Sequence, residues 1–389
     1  MKIVADNKIP FLKGVLEPYA DVEYIPGMQI AHEHVKDADA LLIRTRTKCN
    51  AELLDNSSVK FIGTATIGFD HIDTEYCDSK NIRWISAPGC NSSSVMQYIA
   101  SALVTLGEKK NFSFVDKIIG IVGVGNVGSK IAKLSEALGL KVLLNDPPRE
   151  RKEGCEKFVS LDEIIEKSDI ITFHVPLNKT GIDKTFHLAD DNFFSKIKKG
   201  MIIINSSRGP VIETGALINA IKSGTTGAVV LDVWENEPDI NRELLDLVDI
   251  ATPHIAGYSA DGKANGTAMC VNALNEFFNI GLKPGWYPEK VTEPDKPNEF
   301  EIDCSSKTKQ QVLTEAIKYT YDILEDDTRL RNSRETFEKQ RGDYPVRREF
   351  PYYKVKLVNG VVDIEKAVSE IGFNLGSYGP NHDGVKMNI

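Results

Sequence analysis

The sequence predicts an α/β fold with two doubly wound parallel-sheet domains and a small C-terminal α+β domain. Short apolar runs alternate with helical stretches along most of the chain, and glycine or proline bounds many of the runs. Uninterrupted apolar strands of this kind are typical of a parallel sheet that helices cover on both faces. A glycine-rich turn between one strand and the next helix is the second observation. The third is length, because 389 residues exceed one ordinary domain and suit two or three.

The first hundred residues contain three apolar runs that we interpret as strands: MKIVAD, ALLIRT and VKFIGTAT. A helix is predicted in SSSVMQYIASALVTLGEKK, where Ser92 to Ser94 are candidates for the N-cap. Residues 117–148 have the pattern of a strand, a glycine turn, a helix and another strand. Further strands are predicted in DIITFHVPL, GMIIINSSRG, GAVVLDVW and VDIATPHIAG.

The composition changes toward the C-terminus. A helix is predicted after Gly266, and the Pro- and Lys-rich stretch LKPGWYPEKVTEPDKPNEF that follows is predicted to be a linker. Apolar residues then recur at helical spacing through KTKQQVLTEAIKYTYDILEDD, where Thr320 is the one polar interruption. The C-terminal end of the sequence, beyond this stretch, is predicted to form strands and a helix. The predicted domains are a substrate-binding domain (1–95 and 256–284), a nucleotide-binding domain (96–255) and a C-terminal domain (285–389).

Charge and composition exclude several classes of function. The formal net charge is −9, and the absence of a basic stripe argues against a nucleic-acid partner. No apolar run approaches membrane-spanning length and the N-terminus lacks an apolar signal core, so we expect a cytoplasmic protein without a membrane partner. The six cysteines form no CxxC pair, which favours reduced thiols. The HEH at 32–34 has no second ligand cluster, so no metal is expected.

A dinucleotide site is predicted at the glycine turn. Gly123, Gly125 and Gly128 form GxGxxG between a strand and a helix, which is the pattern of a Rossmann-type pyrophosphate site. Asp146 ends the next strand, where a carboxylate can accept the ribose hydroxyls and repel a 2′-phosphate. The sequence therefore favours NAD over NADP, although Arg149 nearby weakens that preference.

Polar side chains follow three later strands. Arg208 comes directly after one apolar run, Glu235 and Glu237 follow the next, and His254 follows the last. The carboxyl ends of parallel strands face the ligand crevice. An arginine can hold a carboxylate, and a histidine oriented by a carboxylate can take an alcohol's proton. Each residue alone could be a solvated loop residue, but together with an NAD site they supply the groups needed to oxidise a 2-hydroxy acid.

Four segments in this order resemble motifs of the D-isomer-specific 2-hydroxy-acid dehydrogenases: GIVGVGNVGSKIA, NSSRGPVIE, LDVWENEP and TPHIAGYS. The resemblance covers roughly residues 35–285. It implies that Arg208 binds the substrate carboxylate, Glu237 is the relay acid and His254 is the acid–base catalyst. It also implies that Glu235 is solvated and that the C-terminal domain forms a homodimer. The cofactor positions it implies, with those of the glycine turn, are Gly123, Gly125, Asn126, Val127, Gly128, Asp146, Val175, Ser206, Asp232 and Gly257.

The resemblance places substrate positions on Thr45, Thr66 and Tyr258. Thr45 lies in the stretch IRTRTK, where cations alternate with hydroxyls after an apolar run. We interpret this stretch as one end of a pocket for a small phosphorylated hydroxy acid, opposite Arg208, although a solvated strand end would have the same pattern. The sequence does not assign a contact with the phosphate to Arg44, Arg46 or Lys48 individually.

Two other functions fit the same residues. One is a family enzyme whose phosphorylated substrate is one carbon shorter. The other is a non-catalytic NAD(H)-sensing protein that recruits a partner through its C-terminal part. The arginines of that part are expected to be solvated or paired with the intervening acids.

Overall fold

The computed structural model describes residues 1–376. The chain folds into two compact units, one made of Met1–Ser92 and Tyr258–Glu293 and the other of Ser93–Gly257 and Pro294–Ile389. The residues from Pro294 onward fall in the same unit as the nucleotide-binding part. The predicted domain boundary at residue 285 therefore stays a prediction, and residues 377–389 of the predicted C-terminal domain lie outside the described residues.

The first unit contains a five-stranded parallel sheet in the order β2-β1-β3-β4-β5. Its strands are β1 (Lys2–Asp6), β2 (Asp21–Ile25), β3 (Ala40–Ile43), β4 (Phe61–Thr64) and β5 (Arg83–Ile85). The helices between them are α1 (His32–Val35), α2 (Ala51–Leu54) and α3 (Thr74–Ser79). Every residue of β3 and β4 is buried, as expected for strands covered on both faces.

The second unit contains a six-stranded parallel sheet in the order β11-β10-β9-β8-β6-β7. Its strands are β6 (Ile118–Val122), β7 (Lys141–Asn145), β8 (Ile170–Phe173), β9 (Met201–Asn205), β10 (Thr226–Leu231) and β11 (Ile250–Ala251). Its helices up to this point are α4 (Ser92–Lys110), α5 (Asn126–Leu138), α6 (Pro147–Glu153), α7 (Leu161–Lys167), α8 (Asp191–Lys196), α9 (Thr214–Lys222) and α10 (Arg242–Leu247). The strand order reverses beside β6, which confirms the doubly wound fold and places a ligand crevice at the carboxyl end of that strand.

Helix α11 (Ala260–Phe278) packs on β4 in the first unit. The sequence placed this helix after Gly266, and that start is wrong. The side chain of Ser259 caps the helix by accepting a hydrogen bond from the Gly262 N–H at 2.8 Å, so the helix begins at Ala260. A serine cap outweighs the low helix propensity of the glycines in the first turns.

The C-terminal part contains a three-stranded parallel sheet in the order β12-β13-β14. Its elements are β12 (Glu299–Asp303), α12 (Lys309–Thr320), α13 (Ile323–Asn332), α14 (Phe337–Gly342), β13 (Lys354–Val358), α15 (Val362–Glu370) and β14 (Asn374–Leu375). The apolar residues at helical spacing on either side of Thr320 belong to two helices. Thr320 is the last residue of α12, and Asp322 starts α13 by accepting from the Leu324 N–H at 3.1 Å. Among residues 1–376, no helix combines the length and hydropathy needed to cross a bilayer.

Candidate active site

Three neighbouring strands of the second sheet end at the same level. Leu231, the last residue of β10, lies opposite Asn205 at the end of β9 and Ala251 at the end of β11. Arg208 and His254 each follow their strand by three residues. The register therefore brings the loops of Arg208, Glu237 and His254 to one edge of the sheet, which is the carboxyl edge where ligands bind in this class of fold.

His254 and Glu237 form a hydrogen-bonded pair. The imidazole Nδ1 lies 2.7 Å from one Glu237 carboxylate oxygen, and the other oxygen accepts the Trp234 N–H at 2.9 Å. Burial acts to raise the pKa of Glu237, but the bonds from His254 and Trp234 outweigh it, and the pKa lies below its ordinary value. A carboxylate on Nδ1 fixes the imidazole and leaves Nε2 to exchange a proton with a substrate.

The loop of Arg208 packs directly on the loop that leads to Glu237. A Cβ atom at Gly209 would lie 1.9 Å from the Trp234 carbonyl oxygen, so only glycine permits this approach. The Asn205 side chain donates to the Arg208 carbonyl at 2.9 Å, and the Arg208 guanidinium donates to the Ser207 carbonyl at 2.8 Å. These contacts fix the backbone that carries the arginine.

Asp232 holds the loop that contains His254. This carboxylate is 1% exposed. It accepts the N–H groups of Ile255 at 2.7 Å and Ala256 at 2.9 Å, and the Thr252 hydroxyl at 2.7 Å. Three donors from one loop anchor the backbone on both sides of the imidazole. Its predicted contact with the cofactor stays a prediction.

The glycine turn has the geometry of a pyrophosphate site. Helix α5 begins at Asn126 with Gly125 as its N-cap and no capping side chain. A Cβ at Gly128 would lie 2.0 Å from the Gly123 carbonyl oxygen, so the close packing of the turn on the helix requires glycine there. The position of a Cβ on Gly125 has nothing within 4 Å. The uncapped helix N-terminus beside this open space suits a phosphate.

Further side chains fit a dinucleotide. The Ser206 hydroxyl oxygen is buried without a hydrogen-bond partner among the described residues, as expected of a group whose partner is a ligand. Asp146 accepts the Val124 N–H at 2.8 Å, which joins the end of β7 to the glycine turn. Arg149 forms two 2.7 Å bonds with Glu153. Because Glu153 engages this guanidinium, Arg149 is a poor receptor for a 2′-phosphate, which favours NAD.

Two of the predicted substrate residues follow neighbouring strands of the first sheet. Thr45 follows β3 and Thr66 follows β4, so both lie at its carboxyl edge. The Thr66 hydroxyl lies 2.7 Å from the Thr64 hydroxyl and donates to the Gly68 carbonyl at 3.1 Å, and His71 contacts Thr64 at 3.1 Å. This network orients Thr66.

The stretch IRTRTK is not an extension of β3. That strand ends at Ile43, and the following residues form a turn in which Thr45, Arg46 and Lys48 are all exposed. Strand alternation therefore does not decide which cations share a face. Tyr258, the third predicted substrate residue, stacks under Lys263, whose ammonium lies 5.3 Å from the ring centroid.

The prediction that Glu235 is solvated is wrong. It hydrogen-bonds His187 Nε2 at 2.8 Å and accepts the Thr214 N–H at 2.9 Å. The strand-end pattern does not distinguish this structural pair from the pair of Glu237 and His254. No group of three or more His, Cys, Asp or Glu side chains within residues 1–376 is arranged to hold a metal.

Sequence reasoning also missed Arg347. It was expected to be solvated or ion-paired like its neighbours, and the pairs of Arg331 with Asp327 and of Arg341 with Glu338 follow that expectation. Arg347 is instead 5% exposed and donates to backbone carbonyls next to His254. Nothing in its local sequence separates it from the other arginines, because its contacts are remote in the chain.

Comparisons with known proteins agree with this geometry. Residues 104–256 match the family described as D-isomer specific 2-hydroxyacid dehydrogenase, NAD binding domain. Residues 295–372 match a domain of unknown function, DUF3410. The D-lactate dehydrogenase of Aquifex aeolicus, solved with NAD and lactic acid, is 28% identical with a TM-score of 0.60, over 72% of this chain and 96% of that one. The fold and site therefore define an NAD-dependent dehydrogenase of the D-isomer-specific 2-hydroxyacid class.

Longer matches specify the family. The erythronate-4-phosphate dehydrogenase of Bacteroides thetaiotaomicron is 52% identical over 91% of this chain and 99% of that protein. The enzyme of the same name from Proteus mirabilis is 43% identical over 96% and 99%. The chain belongs to the erythronate-4-phosphate dehydrogenase family.

Proposed function

We propose that the protein oxidises 4-phospho-D-erythronate to 2-oxo-3-hydroxy-4-phosphobutanoate with NAD, in the cytoplasmic biosynthesis of pyridoxine and pyridoxal 5′-phosphate (vitamin B6). The observation that carries the chemistry is the 2.7 Å hydrogen bond between Glu237 and His254, on the sheet edge that also carries the Arg208 loop. The substrate assignment is supported by relatives that are 43% and 52% identical over nearly the whole chain.

Each residue of this edge has one proposed role. Arg208 binds the C1 carboxylate, since a guanidinium fork matches a carboxylate. His254 Nε2 takes the proton of the C2 hydroxyl, and Glu237 stabilises the imidazolium that forms. Bound NAD would supply the acceptor for the hydride that leaves C2. The C2 carbon thus becomes a ketone.

The cofactor and substrate contacts are proposed from position. The glycine turn and α5 hold the pyrophosphate, and Asp146 the ribose. The remaining proposed cofactor contacts are Val175, Ser206, Asp232 and Gly257. Thr45, Thr66 and Tyr258 bind the substrate, the two threonines at its phosphate end. A substrate held at both ends presents C2 in one position, which lowers the entropic part of the barrier. We also propose a homodimer formed through the C-terminal domain.

The decisive experiment is steady-state kinetics, followed by NADH absorbance, with 4-phospho-D-erythronate and 3-phospho-D-glycerate side by side. We expect kcat/KM to be at least about tenfold higher for the four-carbon acid, since an added group held in place contributes about 1.4 kcal/mol or more. A preference for the shorter acid would identify a 3-phosphoglycerate dehydrogenase. If neither these acids nor any other 2-hydroxy acid is turned over, the NAD(H)-sensing alternative is the better account.

The phosphate end is tested with the double variant Thr45→Ala/Thr66→Ala. In this proposal the Thr66 hydroxyl turns its proton from the Gly68 carbonyl to the phosphate when the substrate binds. Loss of the two hydroxyls should then lower kcat/KM for 4-phospho-D-erythronate by about 10- to 100-fold. The matched comparison is D-erythronate without its phosphate, for which the variant and the unmodified protein should differ little. Unchanged kcat/KM for the phosphorylated acid would remove both threonines from the site.

A further inference from the structure

Arg347 lies in the part of the chain that matches a domain of unknown function, between α14 and β13. One of its terminal nitrogens donates to the Ala256 carbonyl and the Ser94 hydroxyl, both at 2.6 Å, and to the Ile255 carbonyl at 3.2 Å. Ser94 in turn donates to the Ala256 carbonyl at 2.9 Å. A residue about ninety positions away in sequence thus donates to the carbonyls of the two residues that follow His254.

Asp232 contacts the same two residues through their N–H groups. It accepts from Ile255 and Ala256, whereas Arg347 donates to their carbonyls. The backbone immediately after His254 is therefore held between a buried anion and a buried cation. Each charge offsets part of the desolvation penalty of the other, which an unpaired buried charge would bear alone.

Two tyrosines hold the guanidinium in place. Its central carbon lies 4.4 Å from the ring centroid of Tyr321 and 5.6 Å from that of Tyr344. Both phenols donate to Asp326 at 2.7 Å. Nε and the other terminal nitrogen of Arg347 have no hydrogen-bond partner among the described residues. Buried donors without hydrogen-bond partners lower the stability of the folded protein. An arginine at this position is therefore poorly explained by a contribution to stability alone.

We infer that Arg347 is a positioning residue for the acid–base histidine, through which the C-terminal part of the chain completes the active-site loop. The inference rests on the role proposed above for His254. Arg347 sets the path of residues 255 and 256 and thereby the place of the imidazole that precedes them. It touches neither the substrate nor the cofactor in this role.

The test is the variant Arg347→Met, which keeps most of the side-chain volume and removes the charge and the donors. We expect kcat for 4-phospho-D-erythronate to fall by about 10- to 100-fold, as expected for a misplaced catalytic group, while the Kd of NADH, measured by fluorescence, changes less than about threefold. Arg347→Lys restores the charge and one donor and should recover part of kcat. If Arg347→Met does not fold, the milder variant Ser94→Ala takes its place in the test. It should also lower kcat.

Arg331→Met is the matched control. Arg331 comes from the same part of the chain and also donates to two carbonyls, those of Leu245 at 2.7 Å and Val248 at 2.8 Å, but these do not adjoin His254. The Arg331→Met variant should lower the urea midpoint, as Arg347→Met does. Its kcat should stay within about threefold of that of the unmodified protein, as expected when a purely structural contact is lost. If Arg347→Met retains kcat, or if both variants lose kcat equally, the inference is wrong. Absence of turnover in the unmodified protein would instead refute the proposed function.

Discussion

Two glutamates in one loop, Glu235 and Glu237, each bond a histidine, and a catalytic role is proposed only for the second pair. The change Glu237→Gln keeps the shape of the side chain and removes the charge that, in the proposed mechanism, stabilises the imidazolium of His254. Because general acid–base groups contribute about 10²- to 10⁴-fold, we expect kcat to fall about 100-fold or more. Steady-state kinetics with 4-phospho-D-erythronate measures it.

The neighbouring pair supplies the control. Glu235→Gln breaks the charge contact with His187 in the same way, and it should lower stability by about 1 kcal/mol or less with kcat nearly unchanged. Equal losses of kcat in both variants would mean that the loop as a whole, and not the His254 pair, determines the rate.

His174 gives a stability prediction that depends on pH. Burial lowers the pKa of His174 to about 3. In the unfolded chain the pKa of a histidine is about 6.5. The unfolded state therefore binds more protons below pH ~6.5, and the contribution of His174 to stability is lost as the pH falls from there toward 3. Because the residue keeps some exposure, we expect a loss of about 1 kcal/mol between pH 7 and pH 5.

The variant His174→Gln isolates this contribution. Glutamine can keep a hydrogen bond to Thr172, which now lies 2.9 Å from the imidazole, but it does not titrate. Urea unfolding gives the free energy of unfolding at pH 7 and at pH 5. The difference between these two values should be about 1 kcal/mol smaller in the variant than in the unmodified protein. An identical pH dependence in both proteins would show that His174 is protonated in the folded state as readily as in the unfolded state.

At the scale of elements, the site depends on loops packed directly against one another. Gly209→Ala would place a methyl group 1.9 Å from the Trp234 carbonyl oxygen, and it must separate the loops of Arg208 and Glu237. We expect a stability loss of about 2 kcal/mol or more together with a fall in kcat/KM. Urea unfolding and steady-state kinetics measure the two effects.

Gly215→Ala is the matched substitution. Gly215 lies in α9 six residues later, and a Cβ there has nothing within 4 Å. Alanine should stabilise the helix by about 0.5–1 kcal/mol and leave kcat/KM unchanged. If Gly209→Ala behaves like Gly215→Ala, the two loops are not rigidly packed.

The strands, and the positions of the polar residues just after them, could be predicted because the signals are local. Buried parallel strands appear as apolar runs, and polar residues after such runs fall at the ligand edge, which located Arg208, Glu237 and His254. The break between α12 and α13 was missed because hydrophobic periodicity continues across it, while Asp322 starts a new helix with a cap. Arg347 could not be found in this way, since its partners Ser94, Ile255 and Ala256 are distant in sequence.

At the scale of the whole molecule, the proposed homodimer can be tested directly. The chain has a mass of 43.1 kDa, and light scattering on the eluted protein should give twice that value. Val362 starts α15 in the C-terminal part and is 80% exposed. Its neighbour Val361 is also exposed, at 58%, so two adjacent apolar side chains lie on the surface of the part through which the dimer is proposed to form. Val362→Asp should therefore shift the protein toward the monomer.

Ile182→Asp is the control for this substitution. Ile182 is 86% exposed but lies in the nucleotide-binding part, so Ile182→Asp should leave the dimer intact.

The kinetic consequence of dimer loss separates two roles of the C-terminal part. If Arg347 positions His254 from within its own chain, a monomer produced by Val362→Asp should retain most of its kcat, and Arg347→Met should lower kcat in monomer and dimer alike. If kcat instead falls in parallel with the dimer fraction, the loop after His254 also needs the partner chain. The contacts that Arg347 and Asp232 make with Ile255 and Ala256 are then not sufficient to hold that loop.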